Sequence, residues 1–367
     1  MRLTDLLAGR LAPRALVGPS DCEITGIAYH SSAVRPGDLF AAIRGFVHDG
    51  HRYAAESVRR GAAAVLVDHP LPELPATTQV VVPDTREALA AVASAFYGDP
   101  SHRLWVCAVT GTKGKTTTTY LINAVLRAAG HRAAVIGTTG VLAEGAPVEF
   151  HTTTSTTPEA PDLQRLLRDL HEEGVGHIVM EVTSHALELS RVASCRFRAA
   201  IFTNLTQDHL DLHGDLTRYR ETKSRLFGMV DPAGVSIVNA DDPSSAAMAH
   251  RSRARVVTYG IDGPAEIRAT EVRLAPTGTQ CTVTWPEGRR RVSLRLPGLF
   301  NVSNALAAFA AGLAAGADPA AIGEGLESVA GVPGRCEVVD EGQPFTVLVD
   351  YAHSPDSLDK ILRLAAQ

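Results

Sequence analysis

Along the chain, short apolar runs alternate with segments whose apolar residues return every three to four positions, the patterns of strands and helices in turn. In the N-terminal part, residues 24–29, 39–43, 63–67 and 80–82 predict strands, and 53–60 and 86–97 predict helices. The helical stripe ends at Tyr97-Gly98-Asp99-Pro100-Ser101, a cluster of breakers that predicts a domain boundary. Residues 104–109 are then apolar without alternation, as in a strand covered on both faces. Leu121, Ile122, Val125, Leu126 and Ala129 recur at helical spacing up to Gly130, and 133–136 predict another strand, so the segment reads as a βαβ unit.

Further buried strands are predicted at 178–182, 199–202, 235–238 and 256–259, with a helix at 162–173. Residues 274–296 alternate around the turns Pro276-Thr277-Gly278 and Pro286-Glu287-Gly288, which predicts an antiparallel hairpin appended to the sheet, followed by a helix at 304–315. A second boundary falls near Val332-Pro333-Gly334-Arg335, and 346–349 predict the first strand of a third unit. The expected class is α/β with a largely parallel central sheet, in domains 1–98, 99–335 and 336–367.

Composition narrows the function classes. A chain of 367 residues exceeds the size at which one core stops growing, and 45% hydrophobic with 20% charged residues excludes disordered and collagen-like chains. The net charge of −5 gives no field that would draw nucleic acid or an anionic membrane, so neither is an expected partner. Five scattered cysteines, none in a C-x-x-C pair, predict buried thiols, neither a disulfide framework nor a zinc ribbon. No signal h-region and no uncharged apolar run of about 18 residues is present, which leads to the expectation of a soluble cytoplasmic protein.

Thr110-Gly111-Thr112-Lys113-Gly114-Lys115-Thr116-Thr117 sits between a buried strand and a helix. Glycines allow close approach there, while free N–H groups and the helix dipole converge on an anion. The standard Walker spacing would need a glycine at Val109, so this is a variant loop, with Lys115 expected on the β/γ-phosphates and Thr116 on Mg²⁺. Other predicted strands also end in polar groups: Glu181 before Val182-Thr183-Ser184-His185, Thr203-Asn204 before Asp208-His209, and Asn239 before Asp241-Asp242. Ligands of open α/β sheets bind at such ends, where Glu181 and His209 would hold Mg²⁺ beside ATP. His209 and His213 lie four apart without a His-Glu-x-x-His zinc pattern.

These segments resemble the Mur ligases. The resemblance runs from about residue 24 to Pro355 and rests on residues 110–118, Thr156-Thr157-Pro158-Glu159-Ala160-Pro161, 180–187, 202–214, Val332-Pro333-Gly334-Arg335 and Asp350-Tyr351-Ala352-His353. Folylpolyglutamate synthases share the loop, and a folate ligase is one alternative; a non-catalytic module holding ATP and a UDP-sugar is another. Arg35-Pro36-Gly37-Asp38-Leu39-Phe40, Asp49-Gly50-His51 and the Thr-Thr-Pro-Glu segment favour the family's tripeptide synthetases.

The resemblance implies an N-terminal UDP-substrate domain, a central ATPase domain and the start of a Rossmann-like C-terminal domain. It implies a monomeric ATP-dependent amide ligase of peptidoglycan synthesis, acting on UDP-N-acetylmuramoyl-L-alanyl-D-glutamate and a diamino acid, meso-diaminopimelate or L-lysine. The implied metal ligands are Thr116, Glu181, His209 and a carbamylated Lys223; Asn301, Asn304, Arg335 and Asp350 would meet ATP. Ser31, Phe46, Val47, His48, Thr156, Thr157, Thr183 and Arg191 would meet the UDP-substrate, Arg191 facing its phosphate or carboxylates. For the asparagines, helix capping is the alternative. The chain departs from the family at His30-Ser31-Ser32, where Asp-Ser-Arg is usual, and at Thr183, where serine is usual. By the same resemblance, Gln367 is expected inside the third domain, with the family's acceptor-recognition segment, Asp-Asn-Pro-Arg or its equivalent, beyond it.

Overall fold

A computed structural model describes residues 1–367 except 46–47, 151–153, 155, 208–213, 276–277, 340, 344, 346, 353–357, 360 and 363–367. The chain forms two compact units that are not continuous in sequence.

One unit comprises Met1–Arg103, Pro158–His171 and Glu188–Cys195. Its sheet holds β1 (Ala15–Val17), β2 (Gly26–Ala28), β3 (Asp38–Ala41), β4 (Ala64–Val67) and β5 (Thr78–Val81) in the order β1-β5-β4-β3-β2. Strands β2 to β5 are parallel and β1 is antiparallel. Successive side chains point to opposite faces, and both faces are buried: Leu39, Ala64, Leu66 and Val80 join one core with Leu89 and Val92, while Phe40, Val65, Val67 and Val81 join another with Ala54. That double burial is why these strands read as continuous apolar runs. The helix Thr85–Phe96 starts at Asp84, whose carboxylate accepts from the N–H groups of Arg86 and Glu87. The helix Ala160–Glu172 contributes nearly all its residues to this unit, although its sequence lies amid segments of the other.

The second unit comprises Leu104–Thr157, Glu172–Leu187 and Arg196–Gln367. Its 11-stranded sheet contains β6 (Trp105–Thr110), β7 (Ala133–Gly137), β8 (Gly140–Ala143), β9 (Ala146–Val148), β10 (His177–Glu181), β11 (Phe197–Phe202), β12 (Val230–Asn239), β13 (Arg255–Gly260), β14 (Ile267–Ala275), β15 (Gly278–Trp285) and β16 (Gly288–Leu294). The order is β16-β15-β14-β13-β12-β11-β6-β10-β7-β8-β9. Strands β7, β10, β6, β11, β12, β13 and β14 pair in parallel, with antiparallel pairs at both edges. The βαβ unit is present, but β10 lies between its two strands, and the appended hairpin gains a third strand, β14. The helices Lys115–Ala128, Leu299–Ala314 and Pro319–Ser328 enclose the main core, where Val109, Ile122, Val125, Ile201, Phe309 and Leu326 are buried. Each fully buried side chain of this size stabilises the fold by about 1.5–3 kcal/mol.

Beyond the sheet, β17 (Glu337–Val339) pairs antiparallel with β18 (Val347–Val349), the strand expected to begin the third unit. Of the five cysteines, Cys107, Cys195 and Cys281 are buried as expected, whereas Cys22 and Cys336 are half-buried; no disulfide forms among the described residues. No described helix is long and apolar enough to cross a membrane.

Candidate active site

Strand order reverses beside β6: the chain leaves it for β7 and β10 on one side and returns to β11 on the other. The carboxyl ends of β6, β10 and β11 therefore flank a topological switch point, the place where open α/β sheets bind ligands. The phosphate loop emerges there. Gly111 has φ 149°, and a Cβ on it would lie 1.9 Å from Thr203 Oγ1; Gly114 has φ 85°, and a Cβ would lie 2.5 Å from Asn304 Oδ1. Only glycine fits either position.

Neighbouring strand ends brace the loop. Thr112 N–H donates to the Asn204 carbonyl at 2.8 Å, and Lys113 N–H donates to Asn204 Oδ1 at 3.0 Å. The Asn204 amide and the Thr203 hydroxyl both donate to the Lys113 carbonyl, at 3.1 and 2.7 Å. Thr112 Oγ1 donates to the Thr206 carbonyl at 3.2 Å. Lys115 opens the helix and donates its ammonium to the Gly111 and Thr112 carbonyls, each at 3.0 Å, which holds the charge on the loop itself. Thr117 is buried in the same first turn.

Glu181, 1% exposed at the end of β10, collects three donors: Thr116 Oγ1 at 3.0 Å, Thr138 N–H at 3.0 Å and Thr138 Oγ1 at 3.2 Å. The network continues from Thr138 Oγ1 to Thr156 Oγ1 at 3.0 Å, and Arg335 Nη2 donates to Thr116 Oγ1 at 3.2 Å. Thr156 has φ 68°, a conformation a β-branched residue adopts only under strain, and such strain concentrates at functional positions. Thr157, 0% exposed, donates its hydroxyl to the Glu181 carbonyl at 2.9 Å and accepts from Thr183 N–H at 3.3 Å. Thr183 Oγ1 in turn accepts from Ala186 N–H and caps the helix Ser184–Glu188.

Lys223, 1% exposed on the helix Leu216–Ser224, donates to the Gly111 carbonyl at 3.0 Å and lies 4.6 Å from the Tyr219 ring centroid. Asn301 and Asn304 are not caps, because Gly298 is the N-cap and both sit inside the helix. They form a chain in which Thr118 Oγ1 donates to Asn304 Oδ1, the Asn304 amide to Asn301 Oδ1 and the Asn301 amide to the Pro297 carbonyl, at 3.3, 3.1 and 2.8 Å. Arg335 also lies 4.8 Å over the Tyr351 ring, while Asp350 accepts from the N–H groups of Cys336 and Ala352 at 2.8 and 2.7 Å.

The structure thus brings together Gly111, Thr112, Lys113, Gly114, Lys115, Thr116, Thr117, Glu181, Lys223, Asn304 and Arg335 around one loop. Ser31 and Arg191, neither of them exposed, and the exposed His48 belong to the other unit; His209, Phe46, Val47 and His353 lie outside the described residues. Sequence reasoning missed Thr138 and the bracing role of Asn204. Both follow a strand of the parallel sheet, and that placement was their signal.

A glycine loop opening a helix at the switch point, with a lysine and a buried carboxylate facing a threonine hydroxyl, defines a nucleotide-dependent α/β enzyme. Residues 109–312 match the Mur ligase middle domain, and residues 23–97 match the catalytic domain of the Mur ligase family. The chain is 44% identical to UDP-N-acetylmuramoyl-L-alanyl-D-glutamate--2,6-diaminopimelate ligase of Geobacillus thermodenitrificans, across 94% of this chain and 71% of that protein. It is 43% identical to UDP-N-acetylmuramyl-tripeptide synthetase of a Roseiflexus species, across 99% of this chain and 74% of that one. A solved UDP-N-acetylmuramoyl-L-alanyl-D-glutamate--2,6-diaminopimelate ligase matches its fold with a TM-score of 0.83 at 27% identity, covering 100% of this chain and 74% of that one. The chain belongs to the Mur ligase family.

Proposed function

We propose that this Mur ligase joins 2,6-diaminopimelate to the γ-carboxyl of D-Glu in UDP-N-acetylmuramoyl-L-alanyl-D-glutamate, using ATP, in cytoplasmic peptidoglycan precursor synthesis. The reading rests above all on the phosphate loop, where Lys115 and Thr116 open a helix against the buried Glu181 carboxylate. The names of the relatives supply the substrate class.

A carboxylate is a poor electrophile and does not condense with an amine in water. Transfer of the γ-phosphoryl group from ATP to a γ-carboxylate oxygen gives an acyl phosphate and ADP. The neutral amine then attacks the acyl carbon, the C–O bond to phosphate breaks with its electron pair, and the amide nitrogen loses a proton. Loop N–H groups and Lys115 would offset the phosphate charge, and the Asn301–Asn304 chain would lie on the adenine side. Arg335 would join Thr116 at the phosphates, with Asp350 ordering the turn beside Arg335.

Thr116 and Glu181 offer hard oxygen donors 3.0 Å apart, a set suited to Mg²⁺. Mg²⁺ bound by them, with His209 and a carbamylated Lys223 for a second ion, would neutralise charge on the transferring phosphoryl oxygens. Thr156, Thr183, Ser31, Arg191 and the 46–48 segment would hold the UDP-substrate. Sustained release of ADP tests the proposal: beyond a single turnover it should require both UDP-N-acetylmuramoyl-L-Ala-D-Glu and diaminopimelate. Release driven instead by a folate and glutamate would overturn it.

A further inference from the structure

In the N-terminal unit the Glu159 carboxylate lies between two guanidinium groups. Arg191 Nε is 2.9 Å from Glu159 Oε1, and Arg86 Nη1 is 3.5 Å from Glu159 Oε2. All three side chains are largely buried, so the trio carries one net positive charge away from water.

Arg86 stands where elementary electrostatics opposes a cation. It is the second residue of the helix Thr85–Phe96, next to the positive end of the helix dipole. Burial holds its guanidinium below the usual arginine range, with Glu159 opposing that shift and Arg191 adding to it. Its Nη1 is buried and has no hydrogen-bond partner among the described residues. Asp84 does not resolve the conflict through a side-chain bond, because its carboxylate caps the N–H groups of Arg86 and Glu87.

Glu159 alone would steady Arg191 but cancel its charge. A second guanidinium beside the carboxylate restores the positive charge, while the ion pair with Glu159, 2.9 Å from Arg191 Nε, still restrains the Arg191 side chain. We infer that Glu159 and Arg86 are positioning residues, which together hold Arg191 as a charged receptor for an anionic group of the UDP-substrate. The inference rests on the proposed role of Arg191. The anion is either the diphosphate or a carboxylate of the dipeptide; both present the same oxygen pair to a guanidinium.

The test is calorimetric binding of UDP-N-acetylmuramoyl-L-Ala-D-Glu, UDP and ADP to the protein and to Arg191→Met, Glu159→Gln, Arg86→Met and Arg86→Lys. Glu159→Gln and Arg86→Met should each weaken the UDP-dipeptide by about tenfold, within the range for coupled neighbouring charges, and leave ADP unchanged. Arg86→Lys, which keeps the charge and loses the fork, should recover part of the loss, and Arg86→Met should add little to Arg191→Met. Equal weakening of UDP assigns the diphosphate, and weakening of the dipeptide alone assigns a carboxylate. If Arg191→Met weakens binding while Glu159→Gln and both Arg86 variants bind normally, the inference fails and the role of Arg191 stands. If Arg191→Met binds normally, that role fails and the inference falls with it. Should Arg86→Met not fold, Glu159→Gln and Arg86→Lys decide the matter.

Discussion

Thr157→Val removes one hydroxyl from a fully buried site and keeps the β-branched shape. The hydroxyl joins two backbone groups, the Glu181 carbonyl at 2.9 Å and the Thr183 N–H at 3.3 Å. Valine leaves both groups buried without this partner, and an unmet buried polar group costs about 1–3 kcal/mol. A loss of about 2 kcal/mol in a unit of this size lowers the melting temperature by roughly 4–8 °C. Turnover should fall too, because the same hydroxyl ties down the strand end that carries Glu181 and Thr183. Thr157→Ser, which restores the hydroxyl, should recover most of both losses. Differential scanning calorimetry with steady-state kinetics reads the outcome. A Thr157→Val protein that melts like the parent while its KM for the UDP-substrate rises would show that the hydroxyl serves substrate and not backbone.

Lys115→Ala should abolish ATP-dependent turnover while thermal melting stays near the parent value; unchanged turnover would remove the lysine from the phosphate site. Lys223→Ala should lose activity and regain part of it with added short carboxylates, because these would replace the carboxylate that carbamylation supplies; activity without rescue or loss would count against a carbamylated lysine. Burial, reinforced by His131 with ring centroids 4.1 Å apart, pushes His177 down to about 4. The unfolded chain then binds a proton that the fold refuses, so this contribution is complete above about pH 6.5 and is lost as pH falls toward 4. Melting temperatures followed over that range should fall less steeply in His177→Phe than in the parent, and parallel curves would contradict the argument.

The phosphate loop was legible because its determinants are local: a strand buried on both faces, glycines at left-handed positions and a helix opening with Lys115-Thr116. The parallel class followed from unbroken apolar runs, since strands covered on both faces do not alternate. Strand order was not legible, because β10 enters between β6 and β7 through pairings far apart in sequence. Nor was the membership of the helix Ala160–Glu172 in the N-terminal unit, where Leu163, Leu166, Leu167 and Leu170 are buried. Polar residues hid two elements. Asn301, Ser303 and Asn304 delayed the predicted start of a helix that begins at Leu299, and Glu271 and Arg273 broke the apolar pattern of β14. In the site, Glu181 was readable from its place at a strand end, whereas its donors Thr138 and Thr116 meet it only through the fold. Arg86 gave no signal at all, because its partner Glu159 lies far along the chain.

Every role proposed for the site residues depends on amide formation at the γ-carboxyl of the UDP-dipeptide. Mass spectrometry of the products tests it directly, after incubation of the protein with ATP, Mg²⁺, UDP-N-acetylmuramoyl-L-Ala-D-Glu and an equimolar mixture of meso-diaminopimelate and L-lysine. The expected product is a UDP-tripeptide carrying diaminopimelate, formed in step with ADP and phosphate. A lysine-bearing product would contradict the assigned acceptor, and the absence of any tripeptide would contradict the ligase reading itself.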